Sequence, residues 1–260
     1  MSDCIPRFDR VYLVGYMDID WTEVAFFLDD HGVTDWESDT DKPSHVLPEI
    51  AGRLCYMSYD KPRPGGNAAY LNHLIKMGHT SVLEHVQFNF IVTGISRSCT
   101  HELVRHRIGV GYSQQSQRYV ESQPEFVEPP IIADDPELHE IWTSAVQESH
   151  RVYSLLIAAL KDKFAHVEDK TLRRKRLLET ARSVLPNATE TKIFVTMNAR
   201  ALRHFFEMRG CIHADLEIRS LAVEMFQLVK ESFPNLFPDM EIVTDKDKEL
   251  SIQISGKKQS

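Results

Sequence analysis

The run Val86–Thr93, V-Q-F-N-F-I-V-T, most constrains the fold, because apolar and polar residues alternate at period two up to Gly94. That is the pattern of a strand with one buried face. Such a strand needs sheet partners and a covering layer. Arg10–Tyr16 and Lys192–Met197 have the β-branched and aromatic content to pair with it. Helical spacing marks Asn67–His79, which stops at Gly78-His79, and a short helix over Ser96–His106. Longer helices are predicted over Glu137–Ala165, Lys170–Leu185, Asn198–Arg209 and His213–Phe233. This order predicts one α/β (α+β) domain over 1–260. Acidic Asp18–Ser44 reads as surface, Pro124–Pro136 as a loop, and Asp245–Ser260 as a mobile tail.

Composition excludes several classes. With 42% hydrophobic and 26% charged residues the chain is globular, not disordered or fibrous. Lys plus Arg total 30 against 38 acids, a net charge of -8, which opposes a broad polyanion-binding face. Any anion site must be local. Cys4, Cys55, Cys99 and Cys211 lie far apart with no C-x-x-C pair, so neither a disulfide framework nor a cysteine metal site is expected. With no signal-peptide stretch and no long apolar run, the expectation is a cytoplasmic protein.

The densest chemistry lies in Arg97–Arg118, with four arginines against one acid, Glu102. Arg105, Arg107 and Arg118 around a Gly109/Gly111 turn present forks of donors that match phosphate oxygens. A solvated helix end is the bland alternative. Three familiar motifs fail here. Gln114 replaces the last glycine of G-x-G-x-x-G, His101 and His106 are five apart rather than the four of a zinc-protease helix, and no G-x-S-x-G surrounds Ser113 or Ser116. Two further clusters bear similar groups. In Gly78-His79-Thr80-Ser81-Val82-Leu83-Glu84-His85, imidazoles suit a planar ligand and a hydroxyl suits phosphate, unless the segment is only a capping turn. In Asn198–Arg209, Arg200 and His204 share a helical face, Arg200 and Arg209 are expected to reach one pocket, and Phe205 and Phe206 are core.

Arg105-His106-Arg107 followed by Ser113-Gln114-Gln115-Ser116-Gln117-Arg118-Tyr119 resembles the signature of the flavin-dependent thymidylate synthases. Gly78-His79 with Ser81 and Glu84-His85 is similar to that family's G-H-x-[TS]-x-x-E-H segment. Asn198-Ala199-Arg200 with His204, Arg209 and Ala214–Arg219 is similar to its C-terminal part. Eight residues, Ile108 to Gln115, separate R-H-R from Ser116, one more than the family usually has.

The resemblance implies methylation of dUMP to dTMP with methylenetetrahydrofolate, NADPH and FAD. It implies a homotetramer with shared active sites, and a twisted sheet flanked by helices without a Rossmann motif. By the same resemblance His79, Ser81, Arg105, His106, Arg107, Gln114, Asn198, Ala199, Arg200 and His204 would hold FAD. Glu102, Leu103, Val104, Arg105, Gln114, Gln115, Ser116, Gln117, Arg118, Arg182 and Arg209 would hold dUMP, with Arg209 as the catalytic group and Ser116 as a ligand rather than a nucleophile. The alternative is a non-enzymatic RNA-binding module using Arg97–Arg118, which lacks a series of stacking aromatics.

Overall fold

The computed structural model describes residues 10–120, 125–246 and 248–256. It mixes helices with sheet, and no closed barrel occurs among the described residues. Strands β1 (Arg10–Tyr16), β2 (Gln87–Ser96), β3 (Val110–Gln114) and β4 (Glu190–Asn198) hydrogen-bond in the order β1-β2-β4-β3. A separate antiparallel pair joins β5 (Met240–Thr244) to β6 (Leu250–Ile254), with Met240 opposite Ile254. The helices are α1 (Trp21–Asp30), α2 (Pro43–Leu54), α3 (Gly66–Lys76), α4 (Arg97–Leu103), α5 (Pro130–Ala133), α6 (Pro136–Lys163), α7 (Lys170–Ala181), α8 (Ala199–Arg209) and α9 (Leu216–Ser232).

The chain forms two compact units. One is built on Val92–Arg105 and Ser113–Phe194, the other on Val11–Ile91, His106–Tyr112 and the residues from Val195 onward. Along β2 the alternation read from the sequence holds, since Phe88, Phe90 and Val92 are fully buried while Asn89 and Thr93 are half-buried and Ile91 is exposed.

In the first unit α6 and α7 pack together over a core that includes Val146, Tyr153, Leu177 and Leu178. Both helices start where a side chain satisfies backbone donors that have no partner within the helix. Asp135 accepts from the N–H groups of Glu137 and Leu138 at 2.9 and 3.2 Å, and Asp169 accepts from those of Thr171 and Leu172 at 2.8 and 3.0 Å. Ser96 caps α4 in the same way through the N–H of Cys99 at 3.0 Å.

The second unit centres on α8 and α9. Leu202, Phe205 and Phe206 meet Ile218, Leu221, Met225 and Phe226 in a core with almost no exposure, and Phe206, Phe226 and Phe237 contact one another at ring-centroid distances of 5.3–5.9 Å. Asn198 ends β4 and caps α8, accepting from the N–H of Ala201 at 2.7 Å, so sheet passes into helix with no intervening loop. The N–H of Ile252 on β6 donates to the carbonyl of Gly210 just beyond α8 at 2.7 Å.

Several expectations change. Asp18–Ser44 is more than surface: Asp20 caps α1, and Leu28 and Trp36 join Val46 and Tyr59 in a small core. The stretch read as a loop over Pro124–Pro136 contains α5 and a bridge between Phe126 and Thr189, while Pro124 lies outside the described residues. Of Gly109 and Gly111 only the first has positive φ, at 69°; Gly111 lies within β3, so the pair does not form a single turn. Where a mobile tail was expected, Leu250–Ile254 pair as β6 because Ser251, Ile252 and Ile254 are buried. Residues 247 and 257–260 of that stretch lie outside the described residues.

Candidate active site

In the second unit α8 presents Arg200 and His204 on an exposed face, and Arg200 is ion-paired with Glu84 from the 3-10 turn Thr80–His85. This pair brings together the Gly78–His85 and Asn198–Arg209 segments. Gly78 has φ 75°, and an added Cβ there would meet nothing within 4 Å. The turn leaves His79 and Ser81 exposed. Gly78, Thr80, Arg200, His204 and Glu207 help to line a cavity of about 350 Å³.

Arg209 does not share that lining. Nine residues at about 100° each place it half a turn of the helix away from Arg200. There its Nε donates to Nε2 of His106 at 3.3 Å. The His106 ring lies edge-on to Phe205 at 5.2 Å and to His204 at 5.8 Å. Burial, followed by the charges of Arg209 and His204, lowers its pKa to about 4, so the ring is neutral at neutral pH. The hydroxyl of Tyr112 donates to the His106 carbonyl at 2.9 Å, and the Asn198 N–H donates to the Gly109 carbonyl at 3.0 Å. A Cβ on Gly109 would come within 2.3 Å of Asn198 Nδ2, so the close approach as well as the positive φ requires glycine. Arg107 is exposed, whereas Asn198 and Ala199 are buried.

In the first unit the end of β3 runs into a turn. The Gln115 N–H donates to the Lys192 carbonyl at 2.9 Å, and Ser116 Oγ accepts from the Arg118 N–H at 3.3 Å. Ser116 thus shapes a turn that leaves Gln115, Gln117 and Arg118 half-buried. Arg118 pairs with Glu179 at 3.2 Å. Gln114 donates to the hydroxyls of Thr100 and Thr191 at 3.1 and 3.3 Å. At the end of α4, Leu103 is wholly buried, Glu102 is half-buried, and Val104 and Arg105 are exposed. Leu103 is therefore a packing residue as far as its side chain is concerned.

Arg97 is the residue that motif reading did not single out. Its Nη1 is buried with no hydrogen-bond partner, and burial together with the charge of Arg182 lowers its pKa. The sequence signal was only its place at the head of the basic segment; its closeness to Arg182, far along the chain, is a product of folding. A buried, unmatched guanidinium nitrogen beside a second cation has the chemistry that suits an anion.

Residues 38–235 match the family described as Thymidylate synthase complementing protein. The flavin-dependent thymidylate synthase of Mycolicibacterium vanbaalenii is 52% identical over 215 residues, 82% of this chain and 85% of that protein. The enzyme of the same name from Mycobacterium avium is 51% identical, and that from Mycobacterium tuberculosis 50%, each over 82% of this chain and 85% of its own length. With its clusters of arginine and histidine in the positions described, the chain belongs to the family of flavin-dependent thymidylate synthases and is an enzyme.

Proposed function

We propose that the chain catalyses the reductive methylation of dUMP to dTMP, with methylenetetrahydrofolate as carbon donor, NADPH as reductant and FAD as cofactor. The observation that carries the reading is the Arg97–Arg182 pair, whose mutual repulsion and unmatched buried Nη1 call for an anion such as the dUMP phosphate. Relatives that are flavin-dependent thymidylate synthases support that choice of nucleotide. Arg182, Arg118 and the Gln115–Gln117 turn hold the phosphate, while Gln114, Glu102, Leu103, Val104 and Arg105 complete the nucleotide site. An enzyme of this family leaves no place for a non-enzymatic RNA-binding module.

The residues present fit FAD. His79, Ser81, Arg107, Arg200 and His204 are exposed imidazole, hydroxyl and guanidinium groups, a donor set suited to a flat cofactor with two phosphates. Gly78, next to His79, opens on empty space. With Arg105, Gln114, His106, Asn198 and Ala199 they would form the cofactor site. FAD, when bound, supplies the redox chemistry of the methylation. Arg209, set against the uracil N3/O2 edge, stabilises the negative charge that develops there. The protein otherwise orients the reactants and excludes water.

We read the fold as the family's own, without a Rossmann motif, and as a single domain over 1–260, because β2, β3 and β4 each contribute residues to both units. Self-association as a homotetramer with shared active sites is supported by Tyr12, Val14 and Tyr16, which β1 leaves 41, 49 and 60% exposed. We place the enzyme in the cytoplasm. Incubation with dUMP, methylenetetrahydrofolate, NADPH and FAD is expected to yield dTMP, and to fail when any one is omitted. Flavin-loaded protein that binds dUMP but forms no dTMP would overturn the reading.

A further inference from the structure

An arginine side chain has several free torsions, so a guanidinium that must face a ring edge needs something to fix its plane. For Arg209 the structure offers in His106 an acceptor fixed on several sides. His106 is tied through its carbonyl to the Tyr112 hydroxyl at 2.9 Å, and its ring rests edge-on against Phe205, which is fully buried. The loop that follows is held where Gly109 accepts from Asn198 at 3.0 Å. The imidazole is thereby anchored to the core at a point that an exposed side chain could not provide.

We infer that His106 is the positioning residue of Arg209: its neutral Nε2 accepts from Arg209 Nε and sets the plane in which the guanidinium meets the substrate. This rests on the reading of Arg209 as the catalytic group. Arginine is always a donor, so Nε2 must be the unprotonated nitrogen and the ring proton must sit on Nδ1. The groups against the ring are Arg209, His204 and Phe205, all from α8, while the Tyr112 hydroxyl from β3 holds the backbone carbonyl of the same residue. A proton added to Nε2 would turn acceptor into donor and set two like charges against each other. Burial beside Arg209 and His204 keeps that proton off at neutral pH.

The test compares His106→Ala and His106→Gln in FAD-loaded enzyme, reading kcat, the KM for dUMP and bound flavin. Loss of orientation lowers kcat by about 100-fold in His106→Ala, while the KM moves by less than about threefold. His106→Gln, whose amide oxygen can accept at similar reach, recovers about tenfold of that loss. In an Arg209→Ala background, measured by single turnover, His106→Ala adds less than about threefold. With flavin kept saturating, a Gln variant no better than Ala, or an equal His106→Ala effect in both backgrounds, would each overturn the positioning role. Wild-type turnover by Arg209→Ala would sink the catalytic reading instead.

Discussion

Arg53 and Arg97 carry the same side chain to opposite ends. On α2, Arg53 is 4% exposed and its donors are matched: Nε and Nη2 meet Glu49 at 2.8 and 2.7 Å, and Nη1 reaches the carbonyls of Ser58 and Lys61 at 2.9 and 3.0 Å. Its guanidinium also lies 4.8 Å from the Tyr70 ring centroid. On α4, Arg97 has a buried Nη1 with no partner and Arg182 as its charged neighbour. A buried cation with its counter-charge supplied by the chain holds the fold together. One whose nearest charge has the same sign stores an interaction for a ligand, and stability is given up to keep it.

That contrast can be broken by mutation. The largest effect is expected from Arg53→Met, which strands the buried Glu49 carboxylate and destabilises the protein by about 3–5 kcal/mol in denaturant unfolding. A loss under about 1 kcal/mol would show that Arg53 is no more structural than a surface cation. Arg97→Met is expected to leave stability unchanged or raised while weakening dUMP binding by about 10- to 100-fold, the worth of a hydrogen bond to a charged group. Undiminished dUMP affinity, measured by titration calorimetry, would end the comparison.

Acid sharpens the contrast from another side. His45 is 3% exposed, and burial followed by the charge of Lys42 lowers its pKa from 6.5 to about 4. Below pH 6.5 the unfolded chain takes up a proton that the folded chain refuses, so stability falls until about pH 4. Allowing for solvent screening, that loss is about 2 kcal/mol. His45→Phe, which suits a site facing Phe233, is expected to flatten the slope; an unchanged slope would assign the titration elsewhere. The smallest effect belongs to Arg118, whose side chain is 38% exposed beside a Glu179 that is 36% exposed. Glu179→Gln is expected to alter stability by less than about 1 kcal/mol, and a larger thermal shift would move Arg118 into the structural class.

Much of the frame was legible because local chemistry announces it. Asp135-Pro136 opens α6, and the alternation around Phe88 and Phe90 marks β2. The strand β3 was hidden by Gly109 and Gly111, which read as a turn although only Gly109 takes positive φ. The hairpin of β5 and β6 was hidden by Asp245, Lys246 and Lys248, charges at its connection that make the whole stretch look solvated. In the site, the family signature named Arg182, Arg200, His106 and Arg209, yet gave no hint that Arg209 would turn toward His106 and away from Arg200. Arg97 was invisible for a similar reason, since a sequence records identity but not which distant charge comes to lie beside it.

The grip of Ile252 on the carbonyl of Gly210 ties the last strand to the helix that ends in Arg209. A Cβ on Gly210 would sit 2.6 Å from Ile252 Cδ1, so the two are packed without slack. Proteolytic trimming ahead of Leu250 would therefore be felt beside Arg209, and the β5–β6 pair acts as a clasp on the helix before it.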